Sequence, residues 1–494
     1  MVYNGSMAPN TTSGVTMRQQ ADVLVLAVLV LARIRIDTLA EAAVLPFRQN
    51  DVARHPWLGG LLPPQAAALL AQQQLVDPIG LLLIVVALSC LLAYALVATF
   101  VRNERWRYRL QLGLVWAIIL LTVFASSAKL ILLRQGSGPA SYSHDGGVIQ
   151  TEATIAYLLA GRNPYVEDYV DTPMAEWGIN EFRTALYHYP YLPWTFLFSA
   201  PFKVLADVAI GWYDQRFVYL LLFGLMLVLA PGLAQGSQHK LLLLMLLGLN
   251  PIMGSDVIYG QNDSFVLAWC VLSLWLYVRG TARGRARGWL LWSAAALGLA
   301  WASKPTAWFV APFYLLLIAG GDPRDLWRRP LAWIGRAARL GWPAFAVAGL
   351  IIGPYALWNW AALFDDVWRW STGTAETAYQ IWGWGASNLV LALGWVQSRF
   401  DYWPFWLPEL LVGLPLLVGL LKQQIGDNTP ARAMWNYGVF LLAFFFVSRF
   451  LNENYLGYIL AFLALGTLTD LPLSRPATAL TAPGATEAPP SSPG

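Results

Sequence analysis

The segment "HDGG" at residues 144–147 places an ionisable pair and two glycines directly after an apolar stretch. A carboxylate such as Asp145 can act as a general base if a substrate hydroxyl comes within hydrogen-bonding distance, and His144 could orient it. Asp145 could equally cap the helix that the following residues predict. Glu152, two turns along that helix, is either a second site carboxylate or a surface charge. The two glycines are expected to let the backbone turn beside Asp145.

A second polar cluster lies where one apolar run ends and the next begins, in "YGQND" at residues 259–263. Gln261, Asn262 and Asp263 could bind sugar hydroxyls, although Asn262 or Asp263 could instead cap the second helix. Asp256 lies inside the preceding apolar run, where an acid is costly unless it faces a cavity.

Two cations interrupt other apolar runs, Lys304 in "WASKPTAW" and Arg449 in "SRFLNENY". Each could extend its side chain to a membrane interface or bind a phosphate, and Asn452 is a polar neighbour of Arg449.

The segment 187–193, "YHYPYLP", is rich in aromatic rings. Such rings stack on sugars and prenyl chains, but they also anchor proteins at membrane interfaces. The candidate substrate-binding residues of this segment are Tyr187, His188 and Tyr189.

The composition predicts that membrane helices position these residues. Of the 494 residues 57% are hydrophobic and only 12% are charged, whereas soluble domains carry about 25% charged residues. We therefore expect an all-α polytopic membrane protein with about twelve transmembrane helices. The spans are predicted at 22–45, 78–101, 110–133, 216–235, 240–258, 263–280, 288–303, 305–320, 342–361, 404–421, 434–450 and 455–472.

The charges of the connecting loops predict the topology. Arginines cluster at 102–109, 279–287 and 322–339, which should therefore be cytoplasmic. The loop 134–185 contains seven carboxylates and three arginines and should face outward. This arrangement requires that 189–205, which is rich in proline, and 386–398 lie at the outer surface or re-enter the membrane. All the polar motifs above then lie on the outer side.

The sequence also predicts a domain organisation. Residues 1–20 and 473–494 are expected to be disordered. The remaining divisions are added transmembrane helices at 21–109, a catalytic core at 110–403 with the outer loop 134–215, and C-terminal transmembrane helices at 404–472.

Cys90 and Cys270 lie in apolar runs and are expected to pack as small core residues. No nucleotide-binding or zinc-binding motif is present, and the modest net charge of +4 does not indicate nucleic-acid binding.

The sequence resembles the membrane glycosyltransferases of the GT-C class, and most closely the bacterial mannosyltransferases that use polyprenol-phosphate mannose. "HDGGVIQTE", "LLAGRNPY", "YHYPYLPWTFLFSAPF", "YGQNDSFVLAWCVLSLWLYVRG" and "LGLAWASKPTAWFVAPFYLLL" carry the resemblance, from about residue 145 to 317. It implies a GT-C-like bundle in the bacterial cytoplasmic membrane that transfers a sugar, with inversion, outside the membrane. The implied donor is a polyprenyl-phosphate sugar and the acceptor a glycolipid or glycan.

The same resemblance implies roles for individual residues. The class has its base in the first outer loop, which maps onto Asp145, and basic residues bind the donor phosphate, which maps onto Lys304 and Arg449. His144 departs from the acidic pair of some relatives, so the resemblance does not decide whether it assists. Some relatives bind a divalent ion with two acids, which Asp145 with Asp256 or Asp263 could imitate; we expect no metal and no other cofactor.

Two other classes of function fit the composition. A lipid or sugar transporter or flippase would have inverted repeats or charges midway along its helices, and the sequence shows neither clearly. A non-catalytic assembly protein would make the outer polar cluster incidental.

Overall fold

A computed structural model describes residues 12–42, 45–72, 76–176 and 180–469. The chain is helical almost throughout these residues, which confirms the predicted all-α polytopic membrane fold. The first helices are α1 Thr12–Ala42, α2 Leu45–Arg54, α3 Pro64–Ala71, α4 Pro78–Phe100, α5 Glu104–Ile119 and α6 Ser126–Ser137.

The central helices are α7 Thr151–Leu159, α8 Trp194–Ile210, α9 Arg216–Leu229, α10 Ser237–Gly248, α11 Pro251–Tyr259, α12 Asp263–Ala282, α13 Arg287–Trp301 and α14 Ala311–Ala319. The last are α15 Asp325–Arg328, α16 Pro330–Phe364, α17 Trp370–Thr372, α18 Ser387–Ala392, α19 Trp406–Gly426, α20 Pro430–Val447 and α21 Glu453–Leu468. Three π-helical segments, Leu120–Ala125, Asp145–Gln150 and Asp365–Arg369, lead from one helix or loop into the next helix. Short 3₁₀ helices are Pro164–Val166, Pro173–Glu176, Asn180–Tyr187, Ala230–Leu233 and Pro305–Val310.

Several helices begin where the sequence supplies a capping side chain followed by proline. Asp77 accepts from the N–H of Gly80 at 2.9 Å at the start of α4. Asn250 at the start of α11 and Thr429 at the start of α20 cap in the same way, and each is followed by proline. Proline is favoured at this position because the missing N–H would have no helical partner. These residues fix where the apolar helices begin.

Seven helical segments of the described chain are long and apolar enough to cross a membrane, or eight if α10 and α11, bent by 48°, form one span. The predicted number of about twelve is therefore not confirmed, because several predicted spans form shorter helices, such as α13 with 15 residues and α21 with 16. Helix α8, which covers most of 189–205, is not among the seven. Its predicted location at the outer surface stays a prediction, as does that of 386–398.

The N-terminal helices are attached to the rest of the bundle. α1 packs against α4, α10 and α11. Arg33 of α1 is completely buried and donates to the carbonyl of Pro251 at 2.9 Å and to the hydroxyl of Ser255 at 2.6 Å. α1 includes residues 12–20. Residues 1–11 and 470–494 lie outside the described residues, and the disorder predicted for 1–20 and 473–494 stays a prediction.

A short parallel pairing connects two segments that are distant in sequence. Strand β1, Trp382–Gly383, pairs with β2, Phe450–Leu451. β1 belongs to the long connection between α17 and α19, and β2 belongs to the loop between α20 and α21. This pairing places Arg449 and Asn452 beside the connection 373–405.

Candidate active site

Two loops that carry polar motifs, "HDGG" and "YGQND", pack directly against each other. The backbone N–H of His144 donates to the carbonyl of Tyr259 at 2.7 Å. A Cβ atom on Gly147 would lie 1.9 Å from the carbonyl oxygen of Gly260, and one on Gly260 would lie 2.1 Å from Cγ2 of Val148. Only glycine fits on either side of this contact, which we call the glycine contact. The two loops therefore form one packed unit.

Gly146 and Gly147 do not provide the turn that the sequence predicted. Neither has a positive φ, and both belong to the π-helix Asp145–Gln150 that continues into α7. Their function is close approach: Gly147 contacts Gly260, and a Cβ on Gly146 would lie 2.8 Å from the hydroxyl of Tyr191. The predicted end of this helix is confirmed, because Gly161 follows it with φ of 74°.

We expect Gly147→Ala to lower the melting temperature of the purified protein much more than Gly146→Ala. The backbone of Gly260 cannot move aside, whereas the Tyr191 hydroxyl is the far end of a flexible side chain. Overpacking of this kind costs about 1–3 kcal/mol. Gly113→Ala is the control, since no atom lies within 4 Å of its Cβ position. Equal melting temperatures for the Gly146 and Gly147 variants would argue against this role.

A buried arginine attaches both loops to helix α9. Arg216 is completely buried and donates to the two carboxylate oxygens of Asp214 at 2.8 and 2.7 Å. Its Nη1 atom also donates to the carbonyls of Tyr142 at 2.8 Å and Ile258 at 3.0 Å. One guanidinium group thus holds the chain just before "HDGG" and just before "YGQND".

Glu152 belongs to the same ion network and not to the cavity described below. Arg134 donates to both carboxylate oxygens of Glu152 at 2.9 and 2.7 Å and to Asp214 at 2.9 Å. Glu152 is therefore paired with Arg134 and does not line the cavity, and its predicted role as a site carboxylate stays a prediction. Burial alone would raise the pKa of Asp214, but the guanidinium of Arg216, followed by that of Arg134, lowers it to about 2.

We expect Arg216→Met to lower thermal stability sharply, because it leaves the buried carboxylate of Asp214 with one cation. Removing one partner of a buried ion pair costs about 3–5 kcal/mol. The double variant Arg216→Met/Asp214→Asn should recover part of the loss. The pKa of Asp214 is lower in the folded state than its usual 3.8. The ionised carboxylate therefore contributes fully to the free energy of unfolding above pH 3.8, and this contribution is lost as the pH falls toward 2. Thermal unfolding at several pH values measures both effects, and a pH-independent difference between wild type and Arg216→Met from neutral pH down to pH 2 would contradict the assignment.

Beside the packed loops lies a cavity of about 870 Å³, a size typical of small-molecule sites. Its lining combines polar side chains from separate parts of the chain with aromatic rings. The predicted site residues that it brings together are His144, Gln261, Asn262, Lys304, Arg449 and Asn452. The aromatic lining residues include Phe309, Phe364, Trp368, Trp406, Phe444 and Phe445. The cavity can therefore receive a ligand with a polar head and an apolar chain.

Asp145 is placed at the edge of this cavity by its neighbours. It is the first residue of the π-helix, as the predicted position at a helix N-terminus requires, and His144 and Gly146 line the cavity on either side of it. Its side chain lies outside the described part of the structure. The assignment of Asp145 as general base therefore stays a prediction that rests on the backbone position.

Lys304 is the best-positioned cation of the cavity. Its ammonium group is buried and donates to Asp263 at 2.8 Å and to Asn262 at 3.3 Å. The rings of Tyr455 and Tyr191 flank it, with centroids 4.9 and 5.6 Å from Nζ. The side chain of Lys304 is thus buried and paired inside the protein, and it does not extend to a membrane interface. An ammonium group has three donors, and these two bonds leave one for a ligand.

The capping alternative for "YGQND" is only half correct. Asn262 occupies the N-cap position of α12, but its side chain makes no capping hydrogen bond and accepts from Lys304 instead. Asp263 does not line the cavity; it is completely buried and binds Lys304 and the side-chain amide of Asn454. Asp263 thus holds the Lys304 ammonium group in position without itself lining the cavity.

Arg449 lines the cavity, but its guanidinium forms hydrogen bonds to backbone carbonyl groups. Its guanidinium donates to the carbonyls of Tyr379 at 2.6 Å, Asp401 at 2.9 Å, Phe400 at 3.1 Å and Arg399 at 3.3 Å. Burial lowers its pKa to about 10. Gly373, with φ of 84°, leaves room for it, since a Cβ there would lie 2.5 Å from Nη1. This environment favours a role in shaping the cavity, and its predicted phosphate contact stays a prediction.

The "YHYPYLP" segment is mostly packed inside the protein and is not an open ring surface. Tyr189 is completely buried, and Tyr187 is exposed away from the cavity. His188 is buried, with Nδ1 2.9 Å from Asp366 and Nε2 2.6 Å from the hydroxyl of Thr377. Of this segment, Pro190 and Tyr191 line the cavity. The three rings chosen from sequence are therefore not among its lining residues.

His188, Asp365 and Asp366 are the one group of described residues close enough together to hold a metal ion. The atoms of His188 and Asp366 that could bind a metal already form hydrogen bonds within the protein, however. Both ring nitrogens of His188 have protein partners, and Asp366 accepts from His188 and from the backbone N–H of Tyr189 at 2.9 Å. The group as it stands is a hydrogen-bonded anchor between the loop 134–215 and the end of α16. The expectation of a metal-independent reaction stays a prediction.

The structure adds two carboxylates to the cavity that were not chosen from the sequence as site residues. Glu409, in the first turn of α19, and Glu453, the first residue of α21, both line the cavity. Glu409 in "WLPELL" was a detectable signal, since an acid inside an apolar run is costly unless it faces a polar space. Glu453 gave no such signal, because it lies in a loop-like "NENY" sequence.

The fold and cavity define a polytopic membrane protein with a site suited to an amphiphilic lipid. The family model described as dolichyl-phosphate-mannose-protein mannosyltransferase matches residues 196–348, a little under a third of the chain. This segment runs from α8 into α16 and contains "YGQND" and Lys304. The match confirms the resemblance to GT-C mannosyltransferases, and it supports a glycosyltransferase of that type. Searches of curated proteins and of solved structures gave no significant match.

Proposed function

We propose that the chain is an inverting glycosyltransferase that transfers a sugar, mannose above all, from a polyprenyl-phosphate donor. The acceptor is a glycolipid or glycan at the outer face of a bacterial cytoplasmic membrane. The observation that carries the proposal is a buried lysine, Lys304, in a cavity whose lining combines polar side chains with many aromatic rings. A polyprenyl-phosphate sugar has the matching chemistry: an anionic phosphate, a polar sugar and a long apolar chain.

The chemistry follows from the residues around the cavity. The acceptor hydroxyl attacks the anomeric carbon, a carbon–oxygen bond forms, and the bond from that carbon to the phosphate oxygen breaks. Polyprenyl phosphate leaves with the electron pair, and the Asp145 carboxylate takes the hydroxyl proton. Lys304 stabilises the charge that grows on the leaving phosphate, because a buried ammonium interacts strongly with an anion.

A transfer assay with the purified protein in liposomes tests this proposal. Radiolabelled polyprenyl-phosphate mannose should yield a labelled acceptor and free polyprenyl phosphate, and activity should survive treatment with a chelator. Movement of the intact donor across the bilayer, with no chemical change in any acceptor fraction, would instead support a flippase. The same assay with glucose and arabinofuranose donors identifies the sugar.

The outward orientation gives a separate prediction. In a Cys90→Ala/Cys270→Ala background, a membrane-impermeant thiol reagent added to intact cells should label Asp171→Cys and spare Ala282→Cys. Both positions are exposed, so access to the reagent depends on their side of the membrane. The loop 134–185 is acidic and the turn 279–287 is basic, which is the asymmetry expected for outer and cytoplasmic loops. The opposite labelling pattern would place the cavity on the cytoplasmic side.

A further inference from the structure

One tyrosine of the cavity connects the two places where the proposed reaction uses a charged group. Tyr191 lines the cavity together with Lys304 and with Gly146, the residue that follows Asp145. The centroid of its ring lies 5.6 Å from Nζ of Lys304. Its hydroxyl lies beside Gly146, since a Cβ added to Gly146 would meet that oxygen at 2.8 Å. The side chain of Tyr191 therefore extends from the Lys304 ammonium group to the first turn of the π-helix that begins at Asp145.

Backbone hydrogen bonds hold Tyr191 at this place. Its carbonyl accepts from the hydroxyl of Tyr165 at 2.8 Å. The next residue, Leu192, donates its backbone N–H to the carbonyl of Ser303 at 3.0 Å, directly before Lys304. Tyr191 and Lys304 thus belong to two segments that are hydrogen-bonded to each other, and this pairing holds the two side chains next to one another.

The proposed reaction requires the sugar at the same position. The phosphate oxygen bonded to the anomeric carbon lies at Lys304, and the acceptor hydroxyl approaches that carbon from Asp145. The sugar ring must therefore lie between these two residues, alongside Tyr191. Positive charge develops on a sugar ring as the bond at its anomeric carbon breaks, and hydrogen bonds to the neighbouring sugar hydroxyl strengthen at that stage. The oxygen of a neutral tyrosine can accept such a bond.

We propose that the Tyr191 hydroxyl accepts a hydrogen bond from the sugar hydroxyl on the carbon next to the anomeric carbon. This inference rests on the proposed function and adds a residue that touches the transferred sugar. It also gives Gly146 a role in the chemistry, because a methyl group there would displace the Tyr191 hydroxyl. The bond contributes to the rate of transfer more than to donor binding, since it strengthens only as the bond to phosphate breaks.

Tyr191→Phe tests this contact, because it keeps the ring beside Lys304 and removes only the hydroxyl. With the full-length protein in liposomes, we expect kcat for transfer from polyprenyl-phosphate mannose to fall about tenfold, the scale of one hydrogen bond. Binding of a fluorescent polyprenyl phosphate, which carries no sugar, and the melting temperature should stay as in wild type. Tyr108→Phe is the control, because Tyr108 is half-buried on α5 and does not line the cavity.

A mannose donor that lacks the hydroxyl on the carbon next to the anomeric carbon identifies the contacted atom. The ratio of wild-type to Tyr191→Phe rates should fall from about ten with the complete donor to about one with this deoxy donor, because the bond is then already absent. Gly146→Ala displaces the same hydroxyl and should show the same dependence on the donor. The double variant Gly146→Ala/Tyr191→Phe should be no slower than the slower single variant.

The possible results separate this inference from the proposed function. Equal rates for wild type and Tyr191→Phe with the complete donor would overturn this inference alone. A tenfold loss that is the same with the deoxy donor would also overturn it, since the hydroxyl would then contact another group. A wild-type protein that transfers no sugar would overturn the proposed function, and this inference with it.

Discussion

Asp145→Asn is expected to lower the rate of sugar transfer by about 100-fold or more, the usual scale for the loss of a general base. Asparagine is nearly isosteric with aspartate but cannot accept the proton of the attacking hydroxyl. The helix N-terminus at residue 145 favours the ionised carboxylate, which a base requires. Donor binding should remain, because the proposed phosphate contact is made by Lys304 and not by Asp145. Single-turnover transfer and donor binding by the purified variant measure the two effects separately.

The other carboxylates of the cavity provide the matched controls for this experiment. Glu409→Gln and Glu453→Gln change acids that also line the cavity but lie on α19 and α21. We expect each to reduce transfer much less than Asp145→Asn. Near-normal turnover of Asp145→Asn together with loss of turnover in either Gln variant would reassign the base to that residue.

Lys304→Met is expected to weaken binding of the polyprenyl-phosphate donor by about 10- to 100-fold, because a hydrogen bond to a charged group contributes about 1.5–3 kcal/mol. Methionine keeps most of the side-chain volume but removes the ammonium group. Donor binding can be measured with a fluorescent polyprenyl phosphate. Lys203→Met is the control, because Lys203 pairs with Asp207 in a partly exposed contact on α8.

This single substitution also leaves the buried carboxylate of Asp263 without its cation, so a loss of binding could come from misfolding. Removing one partner of such a pair costs about 3–5 kcal/mol. The double variant Lys304→Met/Asp263→Asn removes both charges and should recover the melting temperature. If it also recovers donor binding, Lys304 has only a structural role. If stability returns while binding stays weak, the ammonium group binds the phosphate.

The sequence predicted the general architecture well because composition and long apolar stretches report the membrane directly. Stretches such as 78–101 and 263–280 are long and apolar, and the observed helices α4 and α12 coincide with them closely. The number of spans is not confirmed where apolar stretches are short or broken by proline. Length and hydropathy alone do not decide whether a helix like α8 crosses a membrane or lies along its surface.

The candidate site was only partly predictable. His144, Gln261, Asn262, Lys304, Arg449 and Asn452 were found because polar residues in apolar surroundings require a cavity or a partner. The roles were harder to assign, because a buried charge looks the same in sequence whether its partner is a ligand or the protein. Glu152 and Arg449 illustrate this: their partners, Arg134 and a set of backbone carbonyls, are distant in sequence.

The glycine contact has a consequence for how this protein can vary. The two loops touch backbone to backbone, and Arg216 holds both by carbonyl groups close to the contact. Side chains around the contact can change without moving it. A single inserted or deleted residue between Tyr142 and Gly147, or between Ile258 and Gly260, would slide one glycine past its partner. Natural relatives should therefore differ here by substitution and keep both loop lengths constant.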